Sequence, residues 1–177
     1  MMVGGETTTS LAYTTPYCVG DGVDFGCGDD PHPSARVLVD ARVDTWKRWH
    51  ESREVHVRDI AQGFDDWIAE GRKYDWLYQS HMLEDLRDPH AFLRCCRQLL
   101  KPGGHLILLG PDEDWYYPRG HPDANPGHRW DLNPARLDKW VRAAMPDLIE
   151  RVYLREASGF RQGEWGFVAV YRTASTL

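Results

Sequence analysis

The residues of this chain that could do chemistry gather at four places. The first is the run GVDFGCG, Gly22 to Gly28, followed by RVLVD, Arg36 to Asp40. Glycines in such a turn allow positive φ and let a ligand come close to the backbone. Asp40, closing the second apolar stretch, is placed to accept hydrogen bonds from both hydroxyls of a ribose. A lone GxG occurs in many ordinary turns. A strand before it and a carboxylate-tipped strand after it make it the opening of a nucleotide-type site. The second place is Asp59-Ile60, after Glu54–Arg58. There Asp59 could reach an adenine amino group or cap a turn. The third is Ser80-His81, beyond Tyr74–Gln79. The fourth is Gly110–Asn133, which carries Trp115, Tyr116, Tyr117, His121, His128 and Trp130. His81, His128 and His121 are candidates for a general base, and each could equally be a structural histidine.

Positioning these groups calls for a particular architecture. Gly22–Gly26, Arg36–Asp40, Glu54–Arg58, Tyr74–Gln79 and His105–Leu109 are short, apolar and spaced like strands of a parallel sheet. Asp44–Arg53 has room for one or two helical turns, and Phe64–Glu70 for a short helix. Asp88-Pro89 starts another, with Phe92, Leu93, Cys96, Leu99 and Leu100 as its core stripe and LKPGG as its stop. Asn133-Pro134 starts a helix over Leu137, Trp140, Val141 and Ala144. Leu148–Glu156 and Glu164–Arg172 read as an antiparallel pair. The expected fold is α/β, a doubly wound Rossmann-like sheet, mostly parallel, with an antiparallel C-terminal strand. Residues 1–20 are expected to form a flexible leader and residues 21–177 one domain.

One spacing is unusual. Seven residues, Asp29–Ala35, separate Gly28 from the second strand, whereas a parallel crossover normally needs ~10 or more. The first crossover helix is therefore reduced or absent, and with it a helix N-terminus that a phosphate would want. That argues against a dinucleotide and for a nucleoside without phosphate, such as an S-adenosyl ligand.

Composition excludes other classes. A net charge of −6 gives no support for a nucleic-acid binder. Arg87, Arg94, Arg97 and Lys101 read as a solvated helix face. No apolar run reaches the ~18 residues of a membrane span, and the N-terminus is not a secretory signal. The four cysteines match no zinc spacing, so no metal site and a reducing cytoplasm are expected. Cys27, inside the glycine turn, reads as a small buried residue.

VDFGCG, VLVD and above all YDWLYQSHMLEDLRDPHAFLRCCRQLLKPGGHLILLGPD, Tyr74 to Asp112, resemble a class I S-adenosylmethionine-dependent methyltransferase. The likeness is to the type 11 kind, with a short glycine loop similar to a compact bacterial and phage-type subgroup. It implies S-adenosyl-L-methionine as cofactor. Asp24, Gly26, Cys27 and Gly28 would lie at its amino-acid end, Asp40 at the ribose, Asp59 and Ile60 at the adenine, and Ser80 on the far side. The implied activity is methyl transfer to a small-molecule, saccharide or other non-basic acceptor, with His81 and His128 as the catalytic candidates. Two departures stand out: Asp30 lies near the place of a third glycine, and Asp85 takes that of a histidine. They motivate an alternative, a non-catalytic domain that keeps the fold as a binding partner. An NAD-dependent oxidoreductase is disfavoured by the missing helix.

Overall fold

The computed structural model describes residues 5–41, 53–146, 149–156 and 166–175. Its sheet has seven strands in the order β3-β2-β1-β4-β5-β7-β6. They are β1 (Gly22–Phe25), β2 (Val37–Asp40), β3 (Glu54–Val57), β4 (Tyr74–Ser80), β5 (Leu100–Pro111), β6 (Ile149–Arg155) and β7 (Gly166–Thr173). All neighbours are parallel except β7, which runs antiparallel to both β5 and β6. The expected mostly parallel sheet with a reversed C-terminal strand is what the chain forms.

Three helices cover one face: α2 (Asp65–Ala69), α3 (Pro89–Leu99) and α4 (Pro134–Ala144). The Asp88 side chain accepts from the Ala91 amide (2.8 Å), and that of Asn133 from the Arg136 amide (2.7 Å), so α3 and α4 begin where a cap and a proline coincide. Their apolar stripes meet the inward residues of the strands. Phe25 of β1 packs edge-on against Phe64 and against Phe92 of α3. Leu137 and Val141 of α4 enter the same core.

The other face is built differently. Trp76, Tyr78, Leu38, Ile107, Leu109, Val168 and Val170 are buried there together with Cys27 and Ala35 of the first crossover. No helix occurs in residues 26–36, as the short spacing requires. The crossover lays the His32 ring against Trp76 and Tyr78, with centroids 5.3 and 5.1 Å apart.

A further helix, α1 (Glu6–Thr14), joins this face, so within the stretch 1–20 expected to be a flexible leader residues 6–14 are helical. It buries hydroxyls rather than apolar side chains, namely Thr7, Ser10 and Thr14. Apolar periodicity could not reveal it. The Tyr78 hydroxyl donates to Thr7 Oγ1 (3.2 Å), and Ser10 Oγ lies 3.4 Å from it. Gly5, at the N-cap of α1, offers no side chain, and Asp30 of the crossover supplies the cap instead. Its carboxylate accepts from the Thr8 amide (2.7 Å) and from the Thr8 hydroxyl.

β5 starts at Leu100, five residues before the expected His105. Leu100 already pairs with Tyr74, and a register shift lies between Tyr74 and Trp76. The Thr173 hydroxyl donates to the Lys101 carbonyl (2.8 Å), and the Gly103 amide to that of Ala174, so the LKPGG segment is held by the chain around β7. The expected turns at Asp44–Arg53 and the Ala157–Gly163 link lie outside, or almost outside, the described residues.

Candidate functional site

The C-terminal ends of β1, β2, β4 and β5 converge on one edge of the sheet, where an open parallel sheet offers its ligand crevice. At the end of β1 the backbone turns through Gly26 and Gly28, both at positive φ (67° and 47°). The Gly26 and Cys27 amides donate to the Val39 carbonyl at the end of β2 (2.7 and 3.3 Å). The Gly28 amide donates to the carboxylate of Asp40 (3.1 Å). Asp40 thus stands against the glycine turn. A β-carbon on Gly26 would be strained at that φ and would lie 3.1 Å from the Met82 sulfur.

Asp24 lies beneath this turn, 1% exposed, accepting from the His32 amide at 2.7 Å. Burial pushes its carboxyl up to about 8, against the opposing pull of that amide and of Arg53. His32 is driven the other way, down to about 4, by burial and then by Arg53. Arg53 donates to the His32 and Pro33 carbonyls. Burial also raises the Cys27 thiol, which sits among apolar neighbours and is a poor nucleophile. Asp59 accepts from the Ala61 amide (2.9 Å), capping one helical turn, and the Ile60 side chain is buried in the core. The capping alternative is therefore realised, and only an uncommitted carboxylate oxygen or main chain is left to face a base.

The tip of β4 is the second half of the site. Gln79, buried, donates to the Leu109 carbonyl (2.9 Å), while its oxygen accepts from the amides of Met82 and Leu83. This clamp fixes the turn that follows, in which His81 holds φ +50. A non-glycine residue there is strained, and such strain collects at functional positions. His81 Nδ1 faces Glu84 Oε1 at 3.5 Å, and its Nε2 faces Glu6 of α1 at 3.5 Å. Burial lowers the His81 pKa, but Glu84, Glu6 and Asp85 together outweigh it and leave it raised. His128 Nε2 faces the same Glu84 oxygen at 3.7 Å.

The segment that brings His128 here is stitched to the β4 tip. The Arg129 and Trp130 amides donate to the Glu84 carbonyl (2.8 and 3.2 Å), and the Trp130 indole to the Leu86 carbonyl (2.8 Å). Tyr116 packs on His128 and Tyr117 stacks on His121. Trp115, Tyr117 and Trp130 keep large exposed surfaces at this end. A cleft lined by Tyr116, Tyr117, His128 and Trp130 opens beside them. A larger groove of about 600 Å³ runs along α4 and includes none of the strand-tip residues.

His81 and His128, 47 residues apart in sequence, thus meet on one carboxylate. The structure does not bring His121 to that carboxylate; its ion-pair partner is Asp123. Ser80, on the strand end, has a buried hydroxyl without a hydrogen-bond partner. Sequence reasoning missed Glu84 and Glu6. The i, i+3 spacing of His81 and Glu84 was the available signal for the first; the second needed α1 to be recognised as a helix.

The fold and site match known proteins. Residues 18–157 match a family described as methyltransferase domain. A ubiquinone biosynthesis O-methyltransferase from Cereibacter sphaeroides is 27% identical over 137 residues, which are 71% of this chain and 54% of that protein. The chain spans about half the length of that curated relative. A SAM-dependent methyltransferase from Archaeoglobus fulgidus superposes with a TM-score of 0.70 at 14% identity, covering 93% of this chain and 91% of the other. The Burkholderia thailandensis 1,6-didemethyltoxoflavin-N1-methyltransferase, solved with S-adenosylhomocysteine, gives 0.66 at 16% identity over 96% and 81%. The residues present fit such a cofactor: a glycine turn that a β-carbon would strain, the Asp40 carboxylate beside it, and the orphaned Ser80 hydroxyl. The chain belongs to the methyltransferase domain family and has the class I Rossmann-like fold of the S-adenosylmethionine-dependent methyltransferases.

Proposed function

We propose that this chain methylates a hydroxyl of a small molecule with a flat face, an aromatic ring or a sugar, and that the β4 tip is where the acceptor oxygen is activated. The observation that carries this reading is the meeting of His81 and His128 on the buried Glu84. Met82, between His81 and Leu83, touches the space beside Gly26, so this cluster adjoins the glycine turn. Oxygen as the acceptor atom is favoured because a hydroxyl, unlike an amine lone pair, must lose its proton to become a good nucleophile. The name of the Cereibacter sphaeroides relative points the same way.

In this reading Asp40 holds the ribose hydroxyls, the turn from Gly26 to Gly28 lines the amino-acid end, and Ser80 closes the far side. Asp24 acts from below, fixing the turn through the His32 amide. S-adenosylmethionine, when bound, supplies a methyl on a sulfonium, so that as the carbon–oxygen bond forms the carbon–sulfur bond breaks and its electron pair returns to sulfur, leaving S-adenosylhomocysteine. The cluster takes up the acceptor proton, and the pair of histidines gives it a route to solvent. Trp115, Tyr117 and Trp130 offer the flat faces on which the acceptor lies. Holding donor and acceptor in line can itself supply ~7–11 kcal/mol.

The test is S-adenosylhomocysteine formation with a panel of catechols, phenols and sugars. Turnover with one hydroxyl class, lost in His81→Ala with cofactor affinity kept, supports the proposal. Cofactor binding with no turnover on any acceptor would favour the non-catalytic alternative.

A further inference from the structure

We propose that Nε2 is the working nitrogen of His81 and that two residues far apart in sequence position it: Glu6 of α1 stabilises the proton this nitrogen takes up, and Gly166 of β7 keeps clear the place where the acceptor oxygen stands. This deepens the proposed function and rests on it, since there the β4 tip activates a hydroxyl.

The two ring nitrogens are not equivalent. Nδ1 faces Glu84 Oε1 at 3.5 Å, and the same oxygen serves His128 at 3.7 Å. Glu84 is fully buried, and its carbonyl is held by the Arg129 and Trp130 amides, so this side of the ring is closed. A carboxylate facing Nδ1 favours the tautomer with the proton there and the lone pair on Nε2. The backbone keeps the ring in this attitude: the His81 amide donates to the Leu109 carbonyl (3.2 Å), and φ is fixed at +50.

Nε2 looks away from Glu84 to two other elements. The first is α1, whose half-exposed Glu6 places Oε2 3.5 Å from it. That is too long for a good hydrogen bond but well within the range of charge attraction. Glu6 therefore leaves the lone pair of Nε2 to the acceptor and favours the imidazolium formed once the proton has moved. Burial lowers the His81 pKa, and Glu84, Glu6 and Asp85 outweigh it. Of these carboxylates only Glu6 reaches Nε2, and its exposure gives the proton a way on to water. It is held there by the docking of α1, through Asp30 at the Thr8 amide and Tyr78 at Thr7.

The second element is β7, whose Gly166 pairs with Pro111 of β5. Gly166 is not at positive φ, so the backbone does not call for glycine there. Space does: a β-carbon would lie 3.3 Å from His81 Nε2 and 3.4 Å from Cε1, and 3.1 Å from the Gly110 carbonyl oxygen. A group at that distance from Nε2 stands about where a hydroxyl donating to it must stand. Any side chain at 166 would compete with the acceptor for that place.

The test begins with a pH titration of the full chain, labelled at histidine Cε1 and read by NMR, with His81 identified as the resonance that His81→Gln removes. Glu84, Asp85 and, beyond Glu84, His128 act on the ring from the other side in wild type and variant alike, so Glu6→Gln isolates Glu6. Losing a negative charge beside Nε2 disfavours the imidazolium, and the His81 midpoint should move to lower pH by ~0.2–0.7 of a pH unit, the worth of a half-exposed ion pair. With the acceptor found by the panel above, the rising limb of kcat/KM should move the same way. Gly166→Ala should lower kcat/KM for that acceptor by about tenfold or more while S-adenosylhomocysteine affinity stays within about twofold. A midpoint that Glu6→Gln leaves in place overturns the role of Glu6. A Gly166→Ala enzyme with wild-type kcat/KM overturns the assignment of Nε2. If Gly166→Ala fails to fold, judged by circular dichroism, the Glu6→Gln rate profile carries the test, and a limb that stays put while the midpoint moves overturns the proposal. The titration needs neither cofactor nor acceptor: wild type that binds no S-adenosylhomocysteine fails the proposed function, whereas an unmoved midpoint fails Glu6 alone.

Discussion

The first crossover and the β4 tip are both irregular, both polar and both partly buried, yet they treat buried polar groups in opposite ways. In the crossover each one has a partner. Asp24 takes the His32 amide, His32 Nδ1 takes the Ser34 amide, Thr14 stands at His32 Nε2, and Asp40 takes the Gly28 amide. At the tip, Glu84, Asp85 and Ser80 bury oxygens that lack a good hydrogen bond, Glu84 meeting two imidazoles only at 3.5 and 3.7 Å. A satisfied network fixes one shape. An unsatisfied one stores free energy that a ligand, proton or ion can release. The crossover is a scaffold that replaces a missing helix, and the tip is where we propose that the molecule reacts.

The largest expected effect is at the tip. His81→Ala should reduce kcat by about a hundredfold or more while leaving S-adenosylhomocysteine affinity within a small factor. An equal loss of affinity would make His81 part of the cofactor scaffold and erase the contrast. In the crossover the readout is stability. His32→Ala removes a ring packed on Trp76 and Tyr78 and should cost about 3 kcal/mol in urea denaturation.

The two titrating groups of the crossover give its pH signature. Asp24 is raised from 3.8 to about 8, so its contribution is present below pH 4 and lost as the pH climbs through 8. His32 is lowered from 6.5 to about 4, so its contribution is present above pH 6.5 and lost as the pH falls through 4. The two slopes oppose each other below pH 6.5, and stability should decline mainly between pH 6.5 and 8. Asp24→Asn keeps the acceptor for the His32 amide and should flatten that decline in thermal melts; an unchanged decline would remove Asp24 as its cause.

Glu84→Gln should raise stability by about 1 kcal/mol, because it removes a buried carboxylate held by two imidazoles only at 3.5 and 3.7 Å, a pairing too long to repay its desolvation. A fall would mean that Glu84 is structurally satisfied. The smallest effect is Asp30→Ala, which uncaps α1 and should cost about 1 kcal/mol in the same denaturation experiment, with amide exchange rising first in α1.

Much of this arrangement was legible because it follows from local rules. Asp88-Pro89 and Asn133-Pro134 start helices where caps and prolines coincide, and the seven-residue spacing after Gly28 announced the missing crossover helix. Asp40 could be placed because strand ends and carboxylates are read together. α1 was not legible, since its buried face is Thr7, Ser10 and Thr14 and its cap comes from Asp30, 22 residues away from Thr8. Glu84 was invisible for a similar reason. Its importance depends on His128, which reaches it only because the Arg129 and Trp130 amides dock on the Glu84 carbonyl.

The central claim is that the glycine turn and Asp40 bind an S-adenosyl ligand. Calorimetry with S-adenosylhomocysteine tests it most directly. Wild type should bind one equivalent, and Asp40→Ala should weaken binding by about tenfold to a hundredfold, the worth of one or two charge-assisted hydrogen bonds. No heat from a folded wild-type sample, or equal affinity in Asp40→Ala, would contradict the account.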